Sequence, residues 1–418
     1  MNIHEIIKSQ KSELESRLQE KYIEREVSDS LFQSKLIKVI IGPRRAGKSF
    51  FAVHHLKRNK DSFGYMNFDD ERLADISDIS VLVDSCKVVY DNPKCLLLDE
   101  IQNVPRWELA VNRLYREGYD LVVTGSNAHL LSRELATHLT GRHIPVFILP
   151  FSFSEYLKTS SETDVSDARK SALLMKYMES GGYPEIVTGR SEMRQYSSAL
   201  FNSIIYRDII KRANIRLHKG IENLALYLLS NIASEYSYNN LTRMTSCSSV
   251  RTVEKFLGYL EEAFLLFSIR RFSFKLKEQM SFNKKIYCVD NGLISGNAFS
   301  NSPNYGKLFE NLIAIELKKR ELEKEIELFF WKNRQNEEVD FVVRKNLKVE
   351  SLIQACFNID NPETKSRESR ALLKASKELK CENLFILTQD YEAEEELKWF
   401  DLSGKIKFIP LWKWLNMA

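Results

Sequence analysis

Proline and glycine are scarce, 9 and 15 in 418 residues, which excludes collagen-like and Pro/Gly-rich low-complexity chains. Long apolar runs are missing too. The first 26 residues, MNIHEIIKSQKSELESRLQEKYIERE, mix charge with apolar positions and contain neither a secretory core nor a membrane span, so a cytoplasmic protein with no membrane partner is expected. Cysteines are few and scattered: Cys86, Cys95, Cys247, Cys288, Cys356 and Cys381 show no C-x-x-C spacing and mostly sit in apolar segments, the pattern of buried thiols. Of the seven histidines, His54 and His55 are adjacent on a helical stretch, where neighbours point to different faces, and no zinc site is expected. Neither sign of charge dominates. Lys and Arg number 61 against 57 Asp and Glu, a net charge of +4 that permits contact with nucleic acid without marking it.

What is present is a composition suited to packed cores, 44% hydrophobic and 28% charged, over a length that accommodates about three ordinary domains. Residues 1–30 read as a lead-in helix, with Ile7, Leu14, Leu18 and Ile23 spaced among charges over residues 4–26. Over 31–150, five apolar runs have strand character: LIKVII (36–41), FGYMNF (63–68), CLLLD (95–99), DLVVTG (120–125) and IPVFIL (144–149). Helical patterns separate most of them, including 48–58, 107–117 and 128–139. Near-continuous apolar strands alternating with helices predict an α/β fold with a doubly wound, parallel five-stranded sheet covered on both faces.

Beyond it, 151–216 turns helical, broken by GGYP at 181–184, and reads as a helical lid. Residues 217–295 run helix, helix, turn, helix, strand, strand, the order of a winged helix-turn-helix. From 305 to 418 a helix precedes strands ELFFW, EVDFVVR, ESLIQACF and NLFILTQ with a charged helix near 366–380, predicting a separate α/β domain.

The chemistry concentrates in the five-stranded segment. GPRRAGKS at 42–49 fits G-x-x-x-x-G-K-[ST] and lies between a buried-type strand and a helix, the context that confirms a phosphate loop. Backbone N–H groups from Gly42, Pro43, Arg44, Arg45, Ala46, Gly47, Lys48, Ser49 and Phe50, proline excepted, together with the helix N-terminus, would surround the phosphates of ATP. Lys48 would reach the β- and γ-phosphates and Ser49 would ligate Mg2+. CLLLDE delivers Asp99 to the carboxyl end of a strand, where it would hold Mg2+, and places Glu100 to act as base on the attacking water. The TGSN strand end offers Asn127, with Thr124 close behind, to bond the γ-phosphate or the lytic water; Ser126 or Asn127 as a helix cap is the competing use. Arg142, just before the fifth strand, is placed to reach a neighbouring subunit's γ-phosphate, which implies a homo-oligomer. No N-K-x-D motif is present to read guanine, and a nucleotide kinase would need neither Glu100 nor the TGSN end.

In this order, GPRRAGKS, LLLDEIQNVPRW, TGSNAHLL, LTGR, PFSFSEYL and GGYPEI resemble the AAA superfamily, and more narrowly the archaeal-type ATPases related to signal-transduction NTPases. The resemblance covers nearly the whole chain. It implies an AAA-type P-loop NTPase core, helical lid, winged helix and a C-terminal restriction-endonuclease-like domain, with Pro184 touching adenine from the lid. In the tail it places Glu310, Asp340 and Gln354 at the metal-binding positions of such a nuclease, while Cys356 stands where the catalytic lysine belongs. A nuclease-derived binding module is therefore favoured over a working nuclease.

Two functions follow. One is an ATPase acting on DNA, with Arg243, Arg251, Lys255, Arg270, Arg271, Lys275 and Lys277 supplying phosphate contacts. The other is a regulatory or defence-type switch whose nucleotide state governs assembly with a protein partner.

Overall fold

The computed structural model describes residues 2–60, 62–74, 78–126, 141–160, 165–245, 247–299 and 304–417, and the chain divides into two compact units, residues 1–150 with 262–264 and residues 151–261 with 265–418.

Side-chain alternation along one buried strand sets the layering of the first unit. Strand β1 (Ile37–Ile41) joins β2 (Gly64–Asn67), β3 (Cys95–Asp99), β4 (Asp120–Gly125) and β5 (His143–Phe147) in an all-parallel sheet of order β2-β3-β4-β1-β5. Around it run helices α1 (Ile3–Arg17), α2 (Lys48–Asn59), α3 (Ile79–Val89) and α4 (Trp107–Arg116). Ile37, Val39 and Ile41 face one core, where Leu82 of α3 and Val111 of α4 lie; Ile40 faces the other, with Phe51, Ala52 and Leu56 of α2. Each such Val, Leu, Ile or Phe side chain contributes roughly 1.5–3 kcal/mol by leaving water. Lys38 breaks the apolar pattern at 2% exposure, and its Nζ is compensated by Asp120 at 2.6 Å, a carboxylate that Lys60 also reaches at 2.8 Å.

The lead-in helix stops earlier than its charge pattern predicts. Instead of running to residue 26, α1 ends at Arg17, and the Leu18, Gln19 and Glu20 N–H groups close turns onto Leu14, Ser16 and Arg17. The following segment is held extended by Arg25, whose guanidinium donates to the carbonyls of Ala46, at 3.0 Å, and Leu149. Two charge-assisted bonds from one fork outweigh continued helix propensity. The helix expected over 128–139 lies outside the described residues. All six cysteines are buried and free. Among the described residues no helix is long and apolar enough to cross a membrane.

In the second unit, helices α5 (Asp167–Ser180), α6 (Met193–Ser203) and α7 (His218–Ser230) precede β6 (Ser234–Tyr236), α8 (Tyr238–Met244), α9 (Val250–Glu262), β7 (Leu266–Arg271) and β8 (Lys284–Cys288). Then come α10 (Asn291–Asn297), α11 (Tyr305–Leu322), β9 (Glu327–Lys332), β10 (Glu338–Lys345), β11 (Lys348–Cys356), α12 (Pro362–Leu379), β12 (Leu384–Thr388), β13 (Ala393–Trp399) and β14 (Leu402–Pro410). The tail does not form a sheet of its own: β7 pairs in parallel with β9 at Arg270–Phe329 and Arg271–Phe330, giving one nine-stranded sheet of order β13-β14-β12-β11-β10-β9-β7-β8-β6. The strands on either side of residues 295–305 therefore share one hydrogen-bonded surface. The final hairpin, β13 and β14, has no counterpart in the apolar pattern, because AEEELKW carries three consecutive glutamates and a lysine; Glu394 pairs with Lys405 across it at 2.9 Å, and Ile406 and Phe408 carry its share of the core.

Candidate active site

Parallel strands bring their carboxyl ends to one edge, and in this sheet β4 lies between β1 and β3. The phosphate loop leaves β1, Asp99 ends β3, and Thr124 near the end of β4 links them. Gly42 opens the loop where no side chain fits, since a Cβ there would lie 1.9 Å from the Ile148 carbonyl oxygen. Gly47 turns the chain into α2 at φ 91°, in the left-handed region. Arg45 shares that region at φ 65° without glycine's freedom, a strain characteristic of functional loops. Lys48 is 4% exposed, and its ammonium donates to the Pro43 carbonyl at 2.9 Å, lying across the loop it serves. Phe50, in the first turn of α2, packs its ring against Tyr22 and His54. The two adjacent histidines diverge: His54 stacks on Tyr22, while His55 meets Phe32 and Asp29.

Asp99 is 3% exposed and accepts from three hydroxyls: Ser49 Oγ at 2.7 Å and Thr124 Oγ1, both on Oδ1, and Tyr65 Oη at 3.0 Å on Oδ2. Burial raises its pKa and the neighbouring Glu100 raises it further, while the three hydroxyls pull it back. Neutral donors compensate a buried carboxylate incompletely; a divalent cation would do so fully. Asp99 and Ser49 form a hard oxygen pair suited to Mg2+. Thr124 performs a second task, because its Oγ1 also accepts the Glu100 N–H at 3.0 Å. Glu100 itself stands at φ 53°, and its carboxylate receives the Gln102 amide. A non-glycine residue held in the left-handed region beside a phosphate loop is strain placed where it orients a side chain.

Tyr65, Arg25 and Gln102 join the site without being expected from the sequence. Tyr65 sits in an apolar strand whose alternation signalled only burial, and nothing local shows that its phenol reaches Asp99.

Asn127 lies outside the described residues. Arg142 is exposed, donates to Asn112 Oδ1 at 2.7 Å, and offers its carbonyl to the Ile37 N–H at 2.9 Å. It therefore stands at the amino end of the sheet, while the phosphate loop leaves the carboxyl end, about 17 Å of strand away. Pro184 occupies the first position of a short helix, Pro184–Val187, in the second unit. The glycines before it serve Asp290: Gly182 and Gly292 N–H groups donate to its carboxylate at 2.6 and 2.8 Å, and a Cβ on Gly181 would fall 2.0 Å from Oδ1.

Farther along the second unit, Glu310 of α11 and Asp340 of β10 converge, but on a lysine: Lys285 of β8 reaches Glu310 at 2.9 Å, Asp340 at 3.0 Å and Glu338 at 2.5 Å. Gln354 turns away, its oxygen accepting the Asp340 N–H at 3.2 Å and its amide donating to Glu368 at 2.6 Å. Among the described residues no group of three or more His, Cys, Asp or Glu side chains is placed to hold a metal ion. Cys356 is buried, and burial pushes its thiol up to about 12.

Comparison with known proteins agrees with the geometry of the first unit. Residues 34–157 match the AAA domain family, 171–303 match a domain of unknown function, DUF8612, and 305–414 match another, DUF4143. The first unit is thus an AAA-type P-loop ATPase domain. An uncharacterized protein of Methanocaldococcus jannaschii is 35% identical over 96% of this chain and 92% of its own length, and one of Haemophilus influenzae is 32% identical over 77% and 83%. The chain belongs to the family these two proteins represent. Among solved structures, a Walker-type ATPase of Pyrococcus abyssi is similar at 14% identity and a TM-score of 0.44, covering 68% of this chain and 95% of that one. The Thermotoga maritima RuvB Holliday junction branch migration motor gives a TM-score of 0.30 at 14% identity, covering 62% and 88%.

Proposed function

We propose that the protein binds Mg-ATP at residues 42–50 and hydrolyses it, coupling turnover to contact with nucleic acid through its second unit. The observation that carries the ATPase reading is the linkage Ser49–Asp99–Thr124–Glu100, in which one threonine hydroxyl connects the cation-binding pair to the backbone of the base. Ser49 and Asp99 would hold Mg2+, which would supply charge neutralisation at the phosphates. Lys48 swings from the Pro43 carbonyl to the β- and γ-phosphate oxygens, and Glu100 accepts a proton from the attacking water as the γ-phosphoryl departs. Asn127 is proposed to hold that water, and Pro184 to contact adenine.

For nucleic acid, the supporting feature is the run α7, β6, α8, α9, β7 and β8, a helix-turn-helix followed by an antiparallel β7–β8 pair joined through a short helix, Leu276–Ser281, close to the order of a winged helix. Arg243, Arg251, Lys255, Arg270, Lys275 and Lys277 are exposed on it, whereas Arg271 is used internally, donating to the Lys332 carbonyl and covering the Phe282 ring at 4.2 Å. Duplex DNA titrated across salt tests this: affinity should fall with a log–log slope of about −0.9 per phosphate contacted, and binding with no slope would end the reading.

The placement of Arg142 at the amino end of the sheet favours a second reading, a switch whose ATP state governs assembly into a homo-oligomer or with a protein partner. ATPase turnover with and without DNA, alongside mass determination in ADP and in a non-hydrolysable ATP analogue, separates the two. Stimulation by DNA supports the first, and ATP-dependent assembly indifferent to DNA supports the second.

A further inference from the structure

Three carboxylates from two elements meet in the second unit, and the cation between them comes from a third. Glu310 lies on α11, Glu338 and Asp340 on β10, and Lys285 on β8, which two strands, β7 and β9, separate from β10 in the sheet. The ammonium is 3% exposed and lies within 3.0 Å of an oxygen from each carboxylate. Two of the acids have further donors. Tyr287 donates its phenol to the same Glu310 oxygen at 2.7 Å, and Asp340 Oδ2 takes the Ala355 N–H at 3.0 Å. Gln354, whose oxygen could have completed a ligand set, is bonded to the Asp340 N–H and to Glu368.

A lysine so deeply buried is unfavourable unless its charge is matched, and burial alone would drive it towards the neutral amine. Glu310, Tyr287, Asp340 and Glu338 reverse that effect and hold it well above its ordinary value, so the group is a fixed cation. Its single charge and three oxygen contacts offset part of the repulsion that a divalent ion would offset, with two differences: it carries one unit of charge fewer, and an ammonium has no open coordination position at which to activate water. Three acids facing one another without any cation would repel.

We infer that Lys285 is the resident cation of the Glu310–Glu338–Asp340 cluster, standing in place of a divalent metal ion and fastening β8 to β10 and α11. The tail consequently folds without metal and lacks a metal-activated water. With the ammonium removed, the three acids are free to draw together on a divalent cation. This holds whether or not the first unit hydrolyses ATP.

The experiment uses the full chain without nucleotide, with MnCl2 as probe, and follows thermal unfolding and Mn2+ binding by electron paramagnetic resonance. The wild-type protein should unfold at one temperature in EDTA and in Mn2+, with no Mn2+ signal dependent on Asp340. Lys285→Ala should unfold several degrees lower in EDTA, recover in Mn2+, and bind one Mn2+ that Asp340→Asn in the same chain abolishes. If Lys285→Ala does not fold in EDTA, refolding in Mn2+, or the double variant Lys285→Ala/Glu338→Gln with one charge fewer, supplies the same readout. Stoichiometric Mn2+ binding by the wild type that Asp340→Asn removes would overturn the inference. So would a folded Lys285→Ala protein that ignores Mn2+, or failure of every variant to fold even with Mn2+ present.

Discussion

The hydroxyl of Ser49 lies 2.7 Å from Oδ1 of Asp99, so the phosphate loop of the first strand and the acid of the third are already in register across the intervening strand. Thr124 of that intervening strand donates to the same oxygen and receives the Glu100 N–H. One side chain thus fixes both Asp99 and the backbone of Glu100.

Thr124→Val keeps the shape of the side chain while removing both bonds. Orphaning a buried group costs roughly 1–3 kcal/mol, so turnover should fall about 10- to 100-fold with ATP affinity little changed. Steady-state ATPase kinetics beside fluorescent-nucleotide titration measure both. An unaltered kcat would show that Thr124 does not position Glu100.

Replacing Glu100 by Gln preserves its volume but removes the proposed base. ATP should still bind, while turnover drops about 100- to 10,000-fold. A Glu100→Gln protein hydrolysing at the wild-type rate would take Glu100 out of the mechanism.

Arg142 stands at the opposite end of the strands from Gly42, so any contact with a γ-phosphate must be made in a neighbouring subunit. Arg142→Ala and Lys48→Ala should each be inactive alone and regain part of the activity when mixed, as each supplies what the other lacks. Failure to complement, with both proteins shown to co-assemble, would leave Arg142 a surface residue bonded to Asn112.

Asp290 gives a pH dependence with a definite sign. Burial raises its carboxyl from the usual 3.8 to about 7, against the opposing N–H bonds of Gly182 and Gly292. Because the folded value exceeds the unfolded one, its contribution to stability is fully present below about pH 4 and is lost as pH rises through 7. Glu310, likewise raised to about 7 by burial and by Asp340, adds in the same window. Asp290→Asn should therefore flatten part of the fall in Tm between pH 4 and 7, the difference from wild type isolating this one group. Identical pH profiles would contradict its burial as a titrating acid.

The five strands of the first unit were legible because a parallel sheet covered on both faces makes apolar runs, and Gly42, Lys48 and Asp99 were legible because loop and strand end are local patterns. Tyr65 and Arg25 were not, since their partners Asp99, Ala46 and Leu149 are distant in sequence and nothing near them in the chain marks the contact. The hairpin of β13 and β14 was hidden for a different reason: its cluster of charges resembles a solvated segment until the β14 core residues Ile406 and Phe408 are seen in place. Lys285 was hidden most thoroughly. On KKIYCVD it reads as one more surface lysine, and only the sheet order brings it to acids 25, 53 and 55 residues onward.

The parallel pairing of β7 with β9 also governs where this polypeptide can be cut. A fragment ending near residue 300 would strip the bonding partner from Arg270 and Arg271 and leave a raw flank with unsatisfied amides, an invitation to aggregation. A shortened version that stays free of aggregation must therefore keep the last hundred residues or blunt that flank with substituted charges.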